Sequence, residues 1–211
     1  MKRLLLFFSI PVLTISLFGQ TDPQATKVLD KFSSTALGSP SVSMKFRLIT
    51  INQMENLDDT VIGSIVMAKD QYRIEMPDNI TWFNGSLSWN YLKAEKEVTI
   101  TKPDKKDNSF LSKPSAIFTL YRKGYKTRYI EENTNKIILD LYPEDIKSDL
   151  VRIRLAISKS TYDLVEAEYK KKDGIIVYLV VDEYDLKAKP DPSVFVFNPQ
   201  NYKGVEVIDM R

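Results

Sequence analysis

Two periodicities divide the chain. Between positions 22 and 37 the apolar residues Ala25, Val28, Leu29, Phe32 and Ala36 recur at the i, i+3, i+4, i+7 spacing that lays one stripe along a helix. Asp22 is a good N-cap and Pro23 suits the first helical position, where its missing N–H costs nothing. Gly38, Ser39 and Pro40 stop the pattern, so the spacing predicts a helix ending near Leu37, its stripe against something large and flat. From position 41 the period becomes two. Val42, Met44, Phe46 and Leu48 alternate with Ser43, Lys45 and Arg47 over a strand at 41–51. A polar loop is expected at 52–59 and a second strand at 61–69. Tyr72, Ile74 and Met76 line one face of a third, with Arg73 and Glu75 outside. After a turn at Pro77-Asp78-Asn79, strands at 80–83 and 87–92 flank Asn84-Gly85, a dipeptide favoured in tight type I′ hairpins. Val98 and Ile100 carry the alternation to position 102.

The middle breaks this rhythm. Residues 103–112 are polar and lysine-rich and read as a loop, and Pro114 opens a short helix at 115–121 bearing Ile117, Phe118 and Tyr121. Strands then resume at 127–130, 136–142, 150–157, 164–171 and 175–184, with Asp173-Gly174 as another hairpin turn. The segments 195–198 and 205–208 supply one or two more. The whole predicts a mainly β fold, a meandering antiparallel sheet of about ten or eleven strands with two helical pieces.

Composition narrows the function. Hydrophobic residues make up 43% and charged residues 27%, enough for a packed core. The 30 basic and 28 acidic side chains nearly cancel, and no basic stripe stands out, so nucleic acid is not an expected partner. Cysteine and histidine are absent, which removes disulfides, thiolate and imidazole chemistry and the usual zinc sites. No Ser/His/Asp set, phosphate loop or H-E-x-x-H is found, and no cofactor is implied. The pairs Asp58-Asp59 and Glu131-Glu132 read as solvated surface charge. The chain is not expected to be an enzyme.

The first residues point to export. Lys2 and Arg3 precede an apolar run at 4–18 broken only by Ser9, Pro11, Thr14 and Ser16, and polarity begins after Gly19. This reads as a signal peptide over 1–19, leaving 20–211 as one unit. The run is shorter than the ~20 residues of a membrane-spanning helix, and without cysteine the mature chain cannot be acylated, so a periplasmic protein free of any lipid anchor is expected. Loss of Lys2 and Arg3 leaves it with no formal net charge.

The inward strand positions offer large or flexible groups: Phe46, Met67, Ile74, Trp82, Trp89, Tyr91, Ile100 and Leu155, joined by Phe118 from the short helix. One by one these are ordinary core residues. Together they form more apolar surface than a helix of about four turns and a short second piece can cover, so the sheet is expected to close on itself or curl round a cavity.

The order of motifs resembles a known family. Gly63-Ser64-Ile65-Val66-Met67-Ala68-Lys69 with Tyr72-Arg73-Ile74 resembles the G-x-L-x-x-x-R-P and following apolar strand of periplasmic outer-membrane lipoprotein carriers, the LolA-like family. Asn84-Gly85-Ser86-Leu87-Ser88-Trp89-Asn90-Tyr91 is close to its D-G…W-x-Y hairpin, and Val98-Thr99-Ile100 to the strand after it. Residues 114–121 fall where the family has a lid helix, and Phe195-Val196-Phe197-Asn198-Pro199 with Gly204-Val205-Glu206-Val207 is similar to its F-x-F-x-P…G-V-x-V ending. The resemblance implies a strongly curved, incomplete antiparallel barrel lidded by helices. Its cavity would take the acyl chains of lipoproteins and ferry them from inner to outer membrane. The implied partners are acylated lipoproteins, an inner-membrane releasing complex and an outer-membrane acceptor, with the carrier a monomer. Where the family has Arg-Pro this chain has Lys69-Asp70. The family arginine latches the lid by forked hydrogen bonds, and a lysine is only a point donor, so Lys69 is either a looser latch or none. Other readings stay open: a carrier or sensor of other envelope lipids on the same scaffold, a structural envelope protein with a solid core, and, least favoured, a hydrolase using acids alone.

Overall fold

The structure, a computed structural model, describes residues 22–102 and 110–211; the signal peptide expected at 1–19 and most of the loop expected at 103–112 lie outside them. Helix α1 spans Pro23–Leu37, as the spacing predicts. The Asp22 carboxylate accepts from the Gln24 and Ala25 amides at 2.8 and 3.3 Å, satisfying N–H groups that the first turn leaves unpaired. Ala25, Leu29, Phe32, Ser33 and Ala36 form its buried stripe.

Twelve strands follow in one open, curved sheet. The first six are β1 Val42–Asn52, β2 Leu57–Ala68, β3 Gln71–Glu75, β4 Asn79–Phe83, β5 Ser88–Leu92 and β6 Glu97–Thr101. The next five are β7 Tyr125–Glu132, β8 Lys136–Pro143, β9 Leu150–Ser158, β10 Leu164–Lys171 and β11 Ile175–Asp185, and β12 is Glu206–Asp209. The order across the sheet is β12-β6-β5-β4-β3-β2-β1-β11-β10-β9-β8-β7. Two meanders are therefore joined at the β1–β11 pair, and the chain between β6 and β7 must travel from one side of the sheet to the other.

That traverse makes the cover. Instead of the short helix expected at 115–121 it forms two 3-10 turns, Pro114–Phe118 and Leu120–Arg122. Phe110 sets its ring edge-on to Phe46 of β1 at 5.6 Å, and Phe118 packs on Phe32 of α1 at 5.2 Å. Phe32, Phe46 and Phe118 are completely buried.

Several local expectations change. Residues 57–59 extend β2 although Asp58 and Asp59 are polar, because the ladder with Ile51 and Thr50 uses only backbone groups. The turn after β4 is centred on Gly85-Ser86 rather than Asn84-Gly85: Gly85 alone of the pair has positive φ (93°), and the Asn84 side chain accepts from the Ser86 and Leu87 amides. Residues 195–198 are not a strand. Pro192–Phe195 is a 3-10 turn capped by Asp191, whose carboxylate accepts from the Ser193 amide at 2.9 Å. Nor is the sheet wholly antiparallel, since β12 returns beside β6 in parallel register, Val207 opposite Val98.

Strand register also fixes which side chains share a face. Residues directly opposite each other point the same way. Met67 pairs with Tyr72 and Ile65 with Ile74, so these share the face that α1 covers. The β3–β4 connection pairs Glu75 with Ile80 and Arg73 with Trp82, which places Ile80 and Trp82 on the opposite face. Trp89 opposite Trp82, Tyr91 opposite Ile80, Val98 opposite Tyr91 and Ile100 opposite Trp89 follow them there.

Candidate ligand-binding site

The nine residues proposed from sequence as cavity lining divide between two clusters. Phe46, Met67, Ile74, Phe118 and Leu155 lie in the main core, between the sheet, α1 and the 110–122 cover. Trp82, Trp89, Tyr91 and Ile100 lie on the other face, in a separate cluster with Val98 and Phe197. The C-terminal segment closes that second cluster: Phe197 and Tyr202 meet Trp82 at 5.5 and 5.7 Å, Tyr202 meets Tyr91 at 4.7 Å, and the Arg73 guanidinium stands over Trp82 at 5.8 Å. The common inward face assumed for all nine is thereby corrected. Pairing from β3 to β6 runs without a bulge, but the register of β3 against β4 reverses which parity faces α1. On the α1-facing side, β4 and β5 instead carry Thr81 and Asn90, hydrogen-bonded to each other at 3.1 Å.

Lys69 occupies the two-residue turn between β2 and β3, where Ala68 pairs with Gln71. It is exposed, has φ of 54°, and makes no hydrogen bond or ion pair among the described residues. Other groups tie the cover down. The Tyr72 hydroxyl donates to the Ser112 carbonyl at 2.9 Å. The Tyr121 hydroxyl donates to the Asp30 carboxylate at 2.5 Å, and Arg122 donates to the Ser33 hydroxyl at 3.1 Å. Burial, then the Asp30 carboxylate, raises the pKa of Tyr121 above its ordinary value. Sequence pattern picked out Tyr72 and Tyr121 as strand and helix residues only; nothing in their spacing marks the partners they meet across the fold.

On one flank of α1 a groove of about 820 Å³ runs between the helix, β7, β8 and the turn after β9. Val28, Tyr129, Ile137 and Tyr162 form its apolar floor, continuous with the main core. Lys27, Lys31, Arg122 and Lys159 stand round it with Asp30 and Glu132. Glu132 accepts from the Tyr129 hydroxyl at 2.8 Å and from Lys159 at 3.0 Å, and these two donors, the tyrosine first, lower its pKa. On the other flank a smaller groove of about 510 Å³ lies between Thr26, Tyr121, Lys123 and Glu144.

Away from α1, β8, β9 and β10 carry a charged ladder. Asp140, only 1% exposed, accepts two hydrogen bonds from Arg154 at 2.7 and 2.8 Å and one from the Tyr142 hydroxyl at 3.0 Å. Burial opposes its charge, but the donors from Arg154 and Tyr142 outweigh burial and hold its pKa below the ordinary carboxylate value. Arg152 bridges to Glu168 at 2.6 Å. Asp140 and Glu168 thus each have a basic partner, the arrangement of a structural network. Among the described residues no cluster of acidic side chains is arranged to hold a metal, and no helix is long and apolar enough to cross a membrane.

Comparison with known proteins gives the geometry a context. The model of the family described as outer membrane lipoprotein carrier protein LolA matches residues 15–171. No curated protein matches the chain. Among solved structures, a conserved protein from Thermus thermophilus is similar with a TM-score of 0.56 at 13% identity, over 88% of this chain and 99% of that one. A putative outer membrane lipoprotein-sorting protein domain from Vibrio parahaemolyticus has a TM-score of 0.46 at 10% identity, over 82% and 96%. A LolA superfamily protein from Nitrosomonas europaea has a TM-score of 0.43 at 11% identity, over 82% and 97%.

Proposed function

Because the chain belongs to the LolA family of outer membrane lipoprotein carriers, we propose that it carries the acyl chains of lipoproteins between membranes, receiving them beneath the cover that residues 110–122 make against α1 and the sheet. The observation that carries this reading is the nature of the seam under the cover. Phe32, Phe46, Phe110, Phe118, Met44 and Met67 meet there with no directional bond among their side chains. Burying an acyl chain is favourable by about 0.8 kcal/mol per CH₂, so a protein-bound lipid needs a shelter of this kind to cross water. Aromatic and thioether groups repack around many chain conformations. These side chains pack against one another, so loading requires residues 110–122 to swing away from β3 and α1, breaking the three ties at Tyr72, Tyr121 and Arg122 and exchanging side-chain contacts for lipid contacts. In this reading residues 1–19 are a cleaved signal peptide, 20–211 the periplasmic carrier, and an inner-membrane complex and an outer-membrane acceptor its partners. No step of bond making or breaking is involved. Lys69 is exposed in the β2–β3 turn, and in this reading the latch rests on Tyr72, Tyr121 and Arg122.

Native mass spectrometry of the protein purified from its own cell envelope tests this. Co-purifying acylated lipoprotein is the expected result. Free lipid alone would favour the reading as a carrier of other envelope lipids, and an empty protein that takes up neither would overturn both.

A further inference from the structure

The groove beside α1 has a charge pattern that the fold does not require. Lys27 and Lys31 are spaced i, i+4, so their ammonium groups are neighbours on one exposed face of the helix. Like charges at this spacing destabilise a helix slightly, and neither lysine has an ion-pair partner among the described residues. Arg122, across the groove, is held by two neutral hydroxyls, those of Tyr121 at 3.3 Å and Ser33 at 3.1 Å. The two acids of the groove are already engaged, Glu132 with Lys159 and Tyr129, and Asp30 with the Tyr121 hydroxyl. Four cations, Lys27, Lys31, Arg122 and Lys159, therefore face two carboxylates, of which Asp30 also attracts Arg122, and the groove keeps two positive charges in excess.

Beneath them the surface is hydrocarbon. Val28, Ile137 and the rings of Tyr129 and Tyr162 line the floor and run into the main core. Tyr162 is held at φ of 61°, a conformation costly for a bulky side chain and maintained only because the surrounding turn fixes it, here by its amide donating to the Ser158 carbonyl at 2.9 Å. At about 820 Å³ the groove has the volume of a small-ligand site.

An apolar floor opening into the core beneath a rim with an excess of positive charge complements one kind of molecule, an acyl chain ending in an anion. We infer that this groove seats the phosphate head of an acyl lipid, with Lys27, Lys31 and Arg122 around the phosphate and the chain directed over Val28 and Ile137 toward the seam under the cover. The inference rests on the proposed acyl-binding function and adds to it a preference for an anionic head group.

Two amphiphiles with the same chain test it: lauroyl lysophosphatidate and monolauroylglycerol, titrated below their micelle-forming concentrations into the full mature chain by calorimetry. Wild-type protein should bind the phosphate-headed lipid about tenfold more tightly than the neutral one, as expected for two or more lysine or arginine charges near an anion. The double variant Lys27→Gln/Lys31→Gln should lose that preference while keeping the affinity for monolauroylglycerol and the thermal midpoint, both lysines being exposed. Equal binding of the two lipids by wild type, or a preference that survives in the double variant, would overturn the inference and leave acyl binding standing. Binding of inorganic phosphate as tightly as the lysophosphatidate would overturn it in favour of a free-anion site. Failure of both lipids to bind would remove the acyl-binding reading itself, and the inference with it.

Discussion

The carboxylate of Asp22 joins the start of α1 to the backbone of Tyr129 on the outermost strand of the sheet. One oxygen takes the amides of Gln24 and Ala25, and the other takes the Tyr129 amide at 3.0 Å. The Asp22 amide donates in turn to the Thr127 carbonyl at 3.2 Å. A helix cap and the blocking of a strand edge are thus the work of one residue, and of the bonds to its carboxylate the one from Tyr129 does most to lower its pKa.

Replacing Asp22 by alanine should lower stability by about 1–2 kcal/mol, the range for a lost N-cap with a further unsatisfied amide. The sign of the pH effect follows from the lowered pKa. The contribution is complete above the ordinary carboxylate pKa and disappears as pH falls through the lower folded-state value. Urea unfolding at neutral and acidic pH should show the wild type and Asp22→Ala converging on acidification.

Asp140 provides a second test of the same sign. Its Arg154 partner keeps about a third of its side chain in water (34% exposed), whereas Asp140 itself keeps 1%. Arg154→Ala should therefore cost about 2 kcal/mol, below the range for fully buried pairs, chiefly by stranding the carboxylate. The variant should lose less further stability than wild type as pH drops below the carboxylate range, because the lowered pKa of Asp140 depends on that arginine.

Gly63 lies opposite Phe46, and a Cβ there would stand 2.6 Å from the end of the phenyl ring and 3.2 Å from the Glu75 carbonyl oxygen. Gly63→Ala should destabilise by about 1–3 kcal/mol through overpacking. Adding Phe46→Leu should return part of that loss, since the shorter side chain vacates the space. Differential scanning calorimetry of the two variants checks it.

Lys69→Gly separates turn geometry from latching. The positive φ at Lys69 is free for glycine and costs other residues about 1 kcal/mol, so the variant should be as stable as wild type or more so. Lipid loading and release should be unchanged. Tyr72→Phe, which removes the hydroxyl that reaches Ser112, should instead speed release, as read by transfer of a fluorescent lipid.

The second aromatic cluster yields a prediction about position. Trp82 is sealed by Phe197 and Tyr202 on the face away from α1. Phe197→Ala should shift tryptophan fluorescence to the red without weakening lipid binding, whereas Phe118→Ala, in the seam, should change binding.

The elements were largely legible in the sequence because each rests on a local period. The Asp22-Pro23 opening and the stripe through Phe32 define α1, and the alternation around Phe46 defines β1. Which face a strand presents was less legible. Trp82 and Ile74 are both even-numbered, apolar and in neighbouring strands, yet the pairing of Glu75 with Ile80 puts them on opposite faces. That pairing is set by the connection between the strands, and the turn residues give its chemistry without its register. The parallel return of β12 had no local signal at all, since it depends on where residues 192–202 lie against β3 to β5. The groove cations were hidden for a similar reason: Lys27 and Lys31 look like any solvated helix face until Arg122 is brought opposite them.

The union of β1 with β11 sets the order in which the chain can acquire its structure. Ser43 must find Asp185, and every pair along that ladder closes a loop of most of the described chain. A chain that emerges N-terminus first makes β1 and β2 long before β11 exists, so the strand at the centre of the finished sheet is for a time its exposed edge. Loop closure over such a separation is slow, and an open apolar edge is where chains adhere to each other. Folding is therefore gated by the last third of the sequence, and the open edge of β1 is the surface a folding helper has to guard.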